Sequence, residues 1–149
     1  MIDIPPDVTL KASIRPGSVY FFRQDSFSSE YRHYFVVLNA DPSSDRVILL
    51  VCASSQLAKA KARRENCPPE TLVLVSHEQY TVFPYPSLFD CNFVLEQSLD
   101  KLTQKLRANE LDIMPEIDMQ IVGQLRRRVL ASREVAGRIK AMLRIPPRT

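Results

Sequence analysis

Glycine is scarce in this chain, and its scarcity excludes a common class of binding site. Only Gly17, Gly123 and Gly137 occur among the 149 residues. Loops that cradle nucleotide phosphates need several glycines close together, because the backbone itself must approach the ligand. The sequence contains no such cluster, so we expect no nucleotide cofactor and predict that the protein works without a cofactor.

Cysteine is almost as rare, which argues against disulfide and zinc sites. The three cysteines, Cys52, Cys67 and Cys91, are an odd number and lack the C-x-x-C spacing. We therefore expect neither a disulfide framework nor a metal site. Cys52 lies within an apolar run, which is typical of a small buried residue. Neither His33 nor His77 is tied to a cysteine by sequence as its base.

Long apolar runs are also missing. No stretch approaches the roughly 20 residues that span a bilayer, and residues 1–6 lack the basic start and apolar segment of a signal peptide. We expect a cytoplasmic protein that does not engage a membrane. Hydrophobic residues make up 45% of the chain and charged residues 25%, which is ordinary for a globular protein, and the length favours one domain covering residues 1–149.

Positive charge is concentrated in two regions, although the formal net charge is only +3. Residues 123–149 hold eight arginines or lysines against a single acid, Glu134. A second basic group occupies residues 59–64, shortly after Ser54-Ser55-Gln56. Such clusters can contact phosphates. They are also typical of a solvated helix face, and for residues 123–149 we favour that interpretation.

The predicted elements run strands first and helices last. Residues 1–15 carry Pro5 and Pro6 and little periodicity, which predicts an extended N-terminal arm. Residue preferences and periodicity predict strands at 18–23, 33–39, 46–53, 71–75 and 90–96, and helices at 56–65, 99–108, 115–131 and 133–144. This order is typical of an α+β fold: a small antiparallel β-barrel core at 16–131, then an additional basic C-terminal helix within 132–149.

Several helix boundaries are marked by specific residues. Ser98 is placed to cap the helix at 99–108, and Ser132 to cap the one at 133–144. Pro115 suits the first position of the longest helix. Apolar residues recur every four positions along that helix and predict one buried stripe, formed by Ile117, Ile121, Leu125 and Val129.

The two apolar strands at 33–39 and 46–53 are joined by a short polar turn. Consecutive strands are usually neighbours in space. If these two pair as an antiparallel hairpin, the start of the first lies beside the end of the second. Arg32 and Ser54 would then meet at one rim of the sheet.

The order of these pieces resembles the PemK/MazF family of toxin endoribonucleases. Pro16-Gly17-Ser18-Val19-Tyr20 is similar to the family's opening strand. Arg32-His33-Tyr34-Phe35-Val36-Val37-Leu38-Asn39 is similar to its strand of an arginine, a proline, four apolar residues and an asparagine. The run 47–56, ending in Ser54-Ser55-Gln56, resembles the strand that ends in Thr-Ser-Gln. Asn92-Phe93-Val94-Leu95-Glu96-Gln97 and the helix at 116–131 follow in the family's order.

This resemblance implies a fold and a chemistry. The fold is an SH3-like barrel, and the activity is metal-independent cleavage of single-stranded RNA by attack of the ribose 2′-hydroxyl on the adjacent phosphorus. Arg32 would match the catalytic arginine and Ser54 the catalytic threonine. The implied RNA-binding residues are Glu30, Tyr31, Ser55, Gln56 and Lys59. A homodimer and an antitoxin that blocks its RNA groove are the implied partners.

The sequence departs from the family pattern around the arginine. His33 stands in place of a proline, which removes a fixed φ and adds a proton carrier. The preceding loop, residues 25–31, lacks the family's glycine. By strand alternation we expect His33 to point away from Arg32 and to be structural or exposed.

These residues also allow other interpretations. Ser54 or Ser55 could cap the helix that begins near Gln56, and Lys59 could belong to a merely soluble helix face. The altered loop and the extra basic helix fit a non-catalytic module that binds protein or nucleic acid. A toxin of the CcdB type, which shares the barrel but acts on gyrase, is a further alternative.

Overall fold

The structure is a computed structural model that describes residues 4–27 and 30–144. The strands in these residues are β1 Val19–Phe22, β2 His33–Val37, β3 Ile48–Ser54, β4 Leu72–Val75, β5 Ser87–Asp90, β6 Leu95–Gln97 and β7 Leu111–Met114. The α-helices are α1 Pro6–Ser13, α2 Leu57–Arg63, α3 Leu99–Arg107, α4 Met119–Ala131 and α5 Gly137–Leu143. None of these helices has the length and apolar character needed to cross a membrane.

The seven strands form one antiparallel sheet. Six of them follow the order β4-β5-β3-β2-β1-β7, and β6 pairs with β3 outside this path. Strand β3 is central: one edge pairs with β2, and the other pairs with β6 at Ile48–Leu50 and with β5 at Ala53–Ser54. The predicted α+β class is confirmed. The sheet is an open path with β4 and β7 at its ends, so it does not close on itself.

Both faces of the sheet are buried, because apolar residues fill both sides of the central strands. Val36 and Val51 face α4 and belong to one core, together with the helix residues Ile121 and Leu125. The alternate residues of the same strands face the other core, where Leu10 of α1 and Leu102 of α3 also pack. The sheet thus lies between two helical layers. The predicted stripe on the longest helix is confirmed for Ile121, Leu125 and Val129, which are buried on α4. Ile117 is also buried, but it precedes the helix.

The predicted extended arm at 1–15 is wrong for residues 6–13, which form α1. The Pro5-Pro6 pair suggested a break, but Pro6 occupies the start of the helix, where a proline's missing N–H costs nothing. Burial of Leu10 and Ile14 against the second core then stabilises the helix. Residues 1–3 of the predicted arm lie outside the described residues.

The predicted strand at 90–96 is two strands separated by a turn. The chain leaves β5 at Asp90, turns through residues 91–94 and re-enters the sheet as β6. Asp90 organises this turn, because its Oδ1 accepts from the backbone N–H of Asn92 at 3.0 Å. The break lets β5 and β6 pair with different halves of the same edge of β3.

The longest helix also begins later than predicted. Residues 111–114 form β7 instead of leading into a helix, and α4 starts at Met119. Asp118 is its cap, accepting from the N–H of Gln120 at 2.7 Å. The cap predicted at Ser98 is confirmed, since its hydroxyl accepts from the N–H of Lys101 at the start of α3.

The additional C-terminal helix exists but is shorter than predicted. It is α5, Gly137–Leu143, and Ser132 does not cap it. Ser132 is fully buried and instead donates to Oδ1 of Asn92 at 2.7 Å. At least one basic residue of this helix is paired within the protein, since Arg138 forms a bidentate ion pair with Glu96. Residues 145–149 lie outside the described residues.

Candidate functional site

A cleft of about 730 Å³ opens where β2 begins and β3 ends. Its walls come from the residues around the start of β2, the residues from the end of β3 into α2, and the residues on either side of β5. Six of the seven residues predicted for the site line this cleft: Tyr31, Arg32, Ser54, Ser55, Gln56 and Lys59. Glu30 is exposed and does not line it.

The β2–β3 hairpin explains why these residues converge. Tyr34 pairs with Ala53 and Phe35 with Cys52. If that register is continued by one position, His33 lies across from Ser54. If it is continued by two positions, Arg32 lies across from Ser55. Paired residues on adjacent strands share a face of the sheet. The predicted hairpin is therefore confirmed and brings Arg32 and Ser54 to the same rim of the sheet, but their positions in the register belong to opposite faces.

The guanidinium of Arg32 is held toward the β7 side of the sheet. Its Nη1 donates to Oδ2 of Asp112 at 2.8 Å, and its Nη2 donates to the backbone oxygen of Asn109, also at 2.8 Å. Asn109 follows α3 with a φ of 59°, a left-handed conformation that asparagine tolerates well. Among the described residues no hydrogen bond joins Arg32 to Ser54. A guanidinium has five N–H donors, so these two bonds leave three for another ligand.

Ser54 lies at the end of β3, where its hydroxyl oxygen accepts from the backbone N–H of Gln56 at 3.2 Å. This bond leaves the hydroxyl proton to be donated elsewhere. Gln56 is the residue before α2, and no side chain caps that helix. The alternative that Ser54 or Ser55 is the cap of α2 is therefore wrong. Ser55 is exposed on the cleft wall.

Strand alternation predicts that His33 points away from Arg32 and is structural or exposed; in the structure it is half-buried and lines the cleft. Its ring meets the edge of Phe27, with the ring centroids 5.7 Å apart. The Nδ1 atom is enclosed and has no hydrogen-bond partner among the described residues. Burial lowers the pKa of His33 below its ordinary value, and the positive charge of Arg63 adds to that shift, while the backbone of Tyr31 opposes it.

Two cations on α2 give the cleft a positive wall. Lys59 and Arg63 both line it and are exposed, and neither forms a salt bridge with another described residue. Arg64, by contrast, is paired with Asp90, with Nε and Oδ2 2.8 Å apart. The arrangement therefore offers two uncompensated positive charges to a ligand.

Exposed aromatic side chains complete the lining. Tyr31 is 77% exposed, Tyr85 67% and Phe93 39%. Tyr85 and Phe93 were missed from the sequence, because Tyr85 lies in a segment without periodicity and Phe93 was assigned to a strand. Large apolar rings that remain in solvent beside cations are a signature of an interaction surface.

The thiol of Cys52 also lines the cleft, but it is not a nucleophile. Burial raises its pKa to about 12, so the reactive thiolate is scarce at neutral pH. Within residues 4–27 and 30–144, no three His, Cys, Asp or Glu side chains are grouped as ligands for a metal ion. The groups that remain for chemistry in the cleft are hydroxyls, cations and one imidazole, beside the carboxylate of Asp90 that is paired with Arg64.

Comparison with known proteins adds no assignment: no protein-family model matches the chain, and no curated protein matches its sequence.

Proposed function

We propose that the cleft binds single-stranded RNA and that the protein cleaves it without a metal, by attack of a 2′-hydroxyl on the adjacent phosphate. The observation that carries this proposal is the composition of the cleft. Exposed aromatic rings, two uncompensated cations and a pair of hydroxyls face one space of about 730 Å³.

Each group in the cleft suits a different part of an unpaired RNA strand. Lys59 and Arg63 can neutralise phosphates of the backbone. Tyr31, Tyr85 and Phe93 offer ring faces for bases, and stacking of this kind requires bases that are not already paired. A duplex offers its base faces only at its ends. The combination therefore favours a single strand over a double helix.

The chemistry of the proposal depends on donors near the reacting phosphate. Charge develops on the phosphoryl oxygens during the attack, and preorganised donors stabilise it. The hydroxyl of Ser54 and the remaining N–H groups of Arg32 are suitable donors. Because Asp112 and Asn109 fix the guanidinium, Arg32 would act with little loss of side-chain freedom.

The remaining parts of the proposal come from the resemblance to the PemK/MazF family. They are a relationship of the sheet to the SH3-like barrel, a cytoplasmic toxin–antitoxin setting, a homodimer and an antitoxin protein that occludes the cleft. The β1–β2–β3 meander, with its arginine and serine at one rim, supports this relationship.

A second candidate is a module that binds RNA in the same cleft without cleaving it. The favouring observation is the position of Arg32, whose guanidinium is already bonded to Asp112 and Asn109. In this case Arg32 has a structural role and does not contact the reacting phosphate. Binding without cleavage would be its hallmark.

Replacing Lys59 with alanine is expected to weaken binding of a single-stranded RNA oligomer about tenfold, because one charge-assisted phosphate contact is lost. The slope of log affinity against log salt should fall by about 0.7, the value for one contact to a single strand. Fluorescence anisotropy over a salt series measures both quantities.

Lys61→Ala is the matched control for this measurement. Lys61 lies on the same helix and carries the same charge, but it does not line the cleft. It should change affinity less than twofold. Equal losses in the two variants would indicate a general charge effect and contradict binding in the cleft.

The cleavage reaction is tested by mapping RNA ends in EDTA after incubation with the wild-type protein and with Ser54→Ala. We expect 2′,3′-cyclic phosphate and 5′-hydroxyl ends from the wild type, and cleavage about 100-fold slower in the variant, as for loss of one transition-state donor. Binding without cleavage would overturn the enzyme and establish the second candidate. An absence of RNA binding would overturn both.

A further inference from the structure

We propose that His33 is the proton acceptor of this cleft, the group that removes the proton from the attacking 2′-hydroxyl. This inference rests on the function proposed above and adds to it a catalytic residue that neither the strand pattern nor the family resemblance supplies. The resemblance places a proline at this position.

The hairpin register puts His33 beside the serine of the site. Tyr34 pairs with Ala53, so His33 and Ser54 are opposite one another at the next position and share a face of the sheet. Both residues line the cleft. A phosphate that accepts a hydrogen bond from Ser54 would bring its neighbouring ribose to the mouth of the hairpin, where the imidazole lies.

The environment of the ring determines which nitrogen is available. Nδ1 is enclosed and has no hydrogen-bond partner among the described residues, and Phe27 packs edge-on against the ring. Any exchange of protons with the cleft therefore passes through Nε2. For Nε2 to accept a proton, the neutral ring must carry its own proton on the enclosed Nδ1. Uptake of the second proton then gives the cation, which burial disfavours.

The electrostatics of the cleft keep His33 in the neutral form that a base requires. Burial lowers its pKa, a hydrogen bond with the backbone of Tyr31 partly opposes that shift, and the positive charge of Arg63 on α2 adds to it. The other titratable groups that line the cleft around His33 are Tyr31, Arg32, Tyr34, Cys52, Lys59, Tyr85 and the Arg64–Asp90 ion pair. The lowered pKa favours the neutral imidazole, the form in which one ring nitrogen keeps a lone pair.

Other groups in the cleft are less suited to accept this proton. Arginine and lysine side chains carry protons and offer no lone pair. The carboxylate of Asp90 is bound to Arg64 at 2.8 Å, and it also holds the turn after β5. The thiol of Cys52 has a pKa of about 12. His33 is the imidazole among the lining residues.

The step balances without a metal or a redox partner. The 2′-oxygen forms a bond to phosphorus as its proton passes to Nε2 of His33, and the bond from phosphorus to the 5′-oxygen breaks. The departing 5′-oxygen takes a proton from water. The imidazolium then gives its proton to the hydroxide that remains, which restores the neutral ring and leaves a cyclic phosphate and a 5′-hydroxyl.

His33→Gln tests the inference, with His77→Gln as the control. His77 is the other histidine of the chain; it contacts the backbone oxygen of Phe83 through Nδ1 at 2.6 Å and does not line the cleft. We expect His33→Gln to slow single-turnover cleavage about 1,000-fold, the middle of the range for loss of a general base. RNA affinity and thermal stability should stay close to those of the wild type.

The pH profile and chemical rescue separate a proton acceptor from a residue that only shapes the cleft. Because the pKa of His33 is lowered, cleavage by the wild type should persist through neutral pH and fall only at a pH below the ordinary histidine value, where the ring becomes protonated. The slow variant His33→Ala should recover on addition of imidazole. If the wild type cleaves RNA and His33→Gln cleaves equally fast, His33 is not the proton acceptor. The same conclusion follows if His33→Ala is slow and imidazole does not restore it. Neither result would contradict the proposed cleavage activity itself. A wild type that binds RNA without cleaving it overturns the enzyme as well.

Discussion

Asn39→Ala is expected to lower the free energy of unfolding by about 3 kcal/mol, because the side chain replaces backbone pairing at the turn of the hairpin. Asn39 is 2% exposed. Its Oδ1 accepts from the N–H of Leu49 at 2.6 Å, and its Nδ2 donates to the backbone oxygen of Val47 and to Asp45. Alanine leaves buried polar groups unpaired, at about 1–3 kcal/mol each.

Urea denaturation measures this loss, and two further variants sharpen it. Asn66→Ala removes an exposed asparagine and should change stability by less than about 0.5 kcal/mol. Asn39→Asp keeps the acceptor for Leu49 but loses the donor and sets a second carboxylate beside Asp45, so it should also destabilise. A loss below about 1 kcal/mol for Asn39→Ala would show that water satisfies these groups.

Gly17→Ala is expected to cost about 2 kcal/mol for a different reason. Gly17 has a φ of +91°, in the region that side chains with a Cβ avoid. A Cβ there would lie 3.1 Å from the backbone oxygen of Ile117 and 3.3 Å from Val122. The backbone of Gly17 also joins β2 to the segment before α4, through bonds with Val37 and Ile117, so the chain has little room to adjust.

The matched control for Gly17→Ala is Gly137→Ala, which is expected to change stability in the opposite direction. Gly137 begins α5, and a Cβ added there meets nothing within 4 Å. Alanine is the better helix former, so Gly137→Ala should stabilise the protein by about 0.5–1 kcal/mol. Thermal denaturation of the two variants beside the wild type measures both effects. Destabilisation by both, or by neither, would contradict the assigned backbone conformations.

The sequence correctly predicted those elements that are specified by residues close together in the chain. The stripe on α4 repeats every four residues, and the cap at Ser98 precedes its helix directly. By contrast, β7 is short and finds its pairing partner in β1, far earlier in the chain. No local pattern distinguishes such a strand from the start of a helix, and Pro115 favoured the helix.

The candidate site divides in the same way. An antiparallel hairpin brings the start of β2 to the end of β3 by geometry alone, so Arg32 and Ser54 could be placed at one rim from sequence. The direction of the Arg32 side chain could not, because Asp112 lies 80 positions later. The exposure of Tyr85 and Phe93 depends on how the chain turns on either side of β5, which is equally remote from local sequence.

The position of β1 inside the sheet has a consequence for how the protein is made. Strand β1 is synthesised before the other strands of the sheet, yet one of its two neighbours, β7, is the last. Until residues 111–114 leave the ribosome, that edge of β1 has no partner, and Arg32 lacks Asn109 and Asp112. A nascent chain therefore carries an open strand edge, which invites pairing with other chains. The side chain of Arg32 can therefore be fixed in the cleft only after the last strand of the sheet has been synthesised.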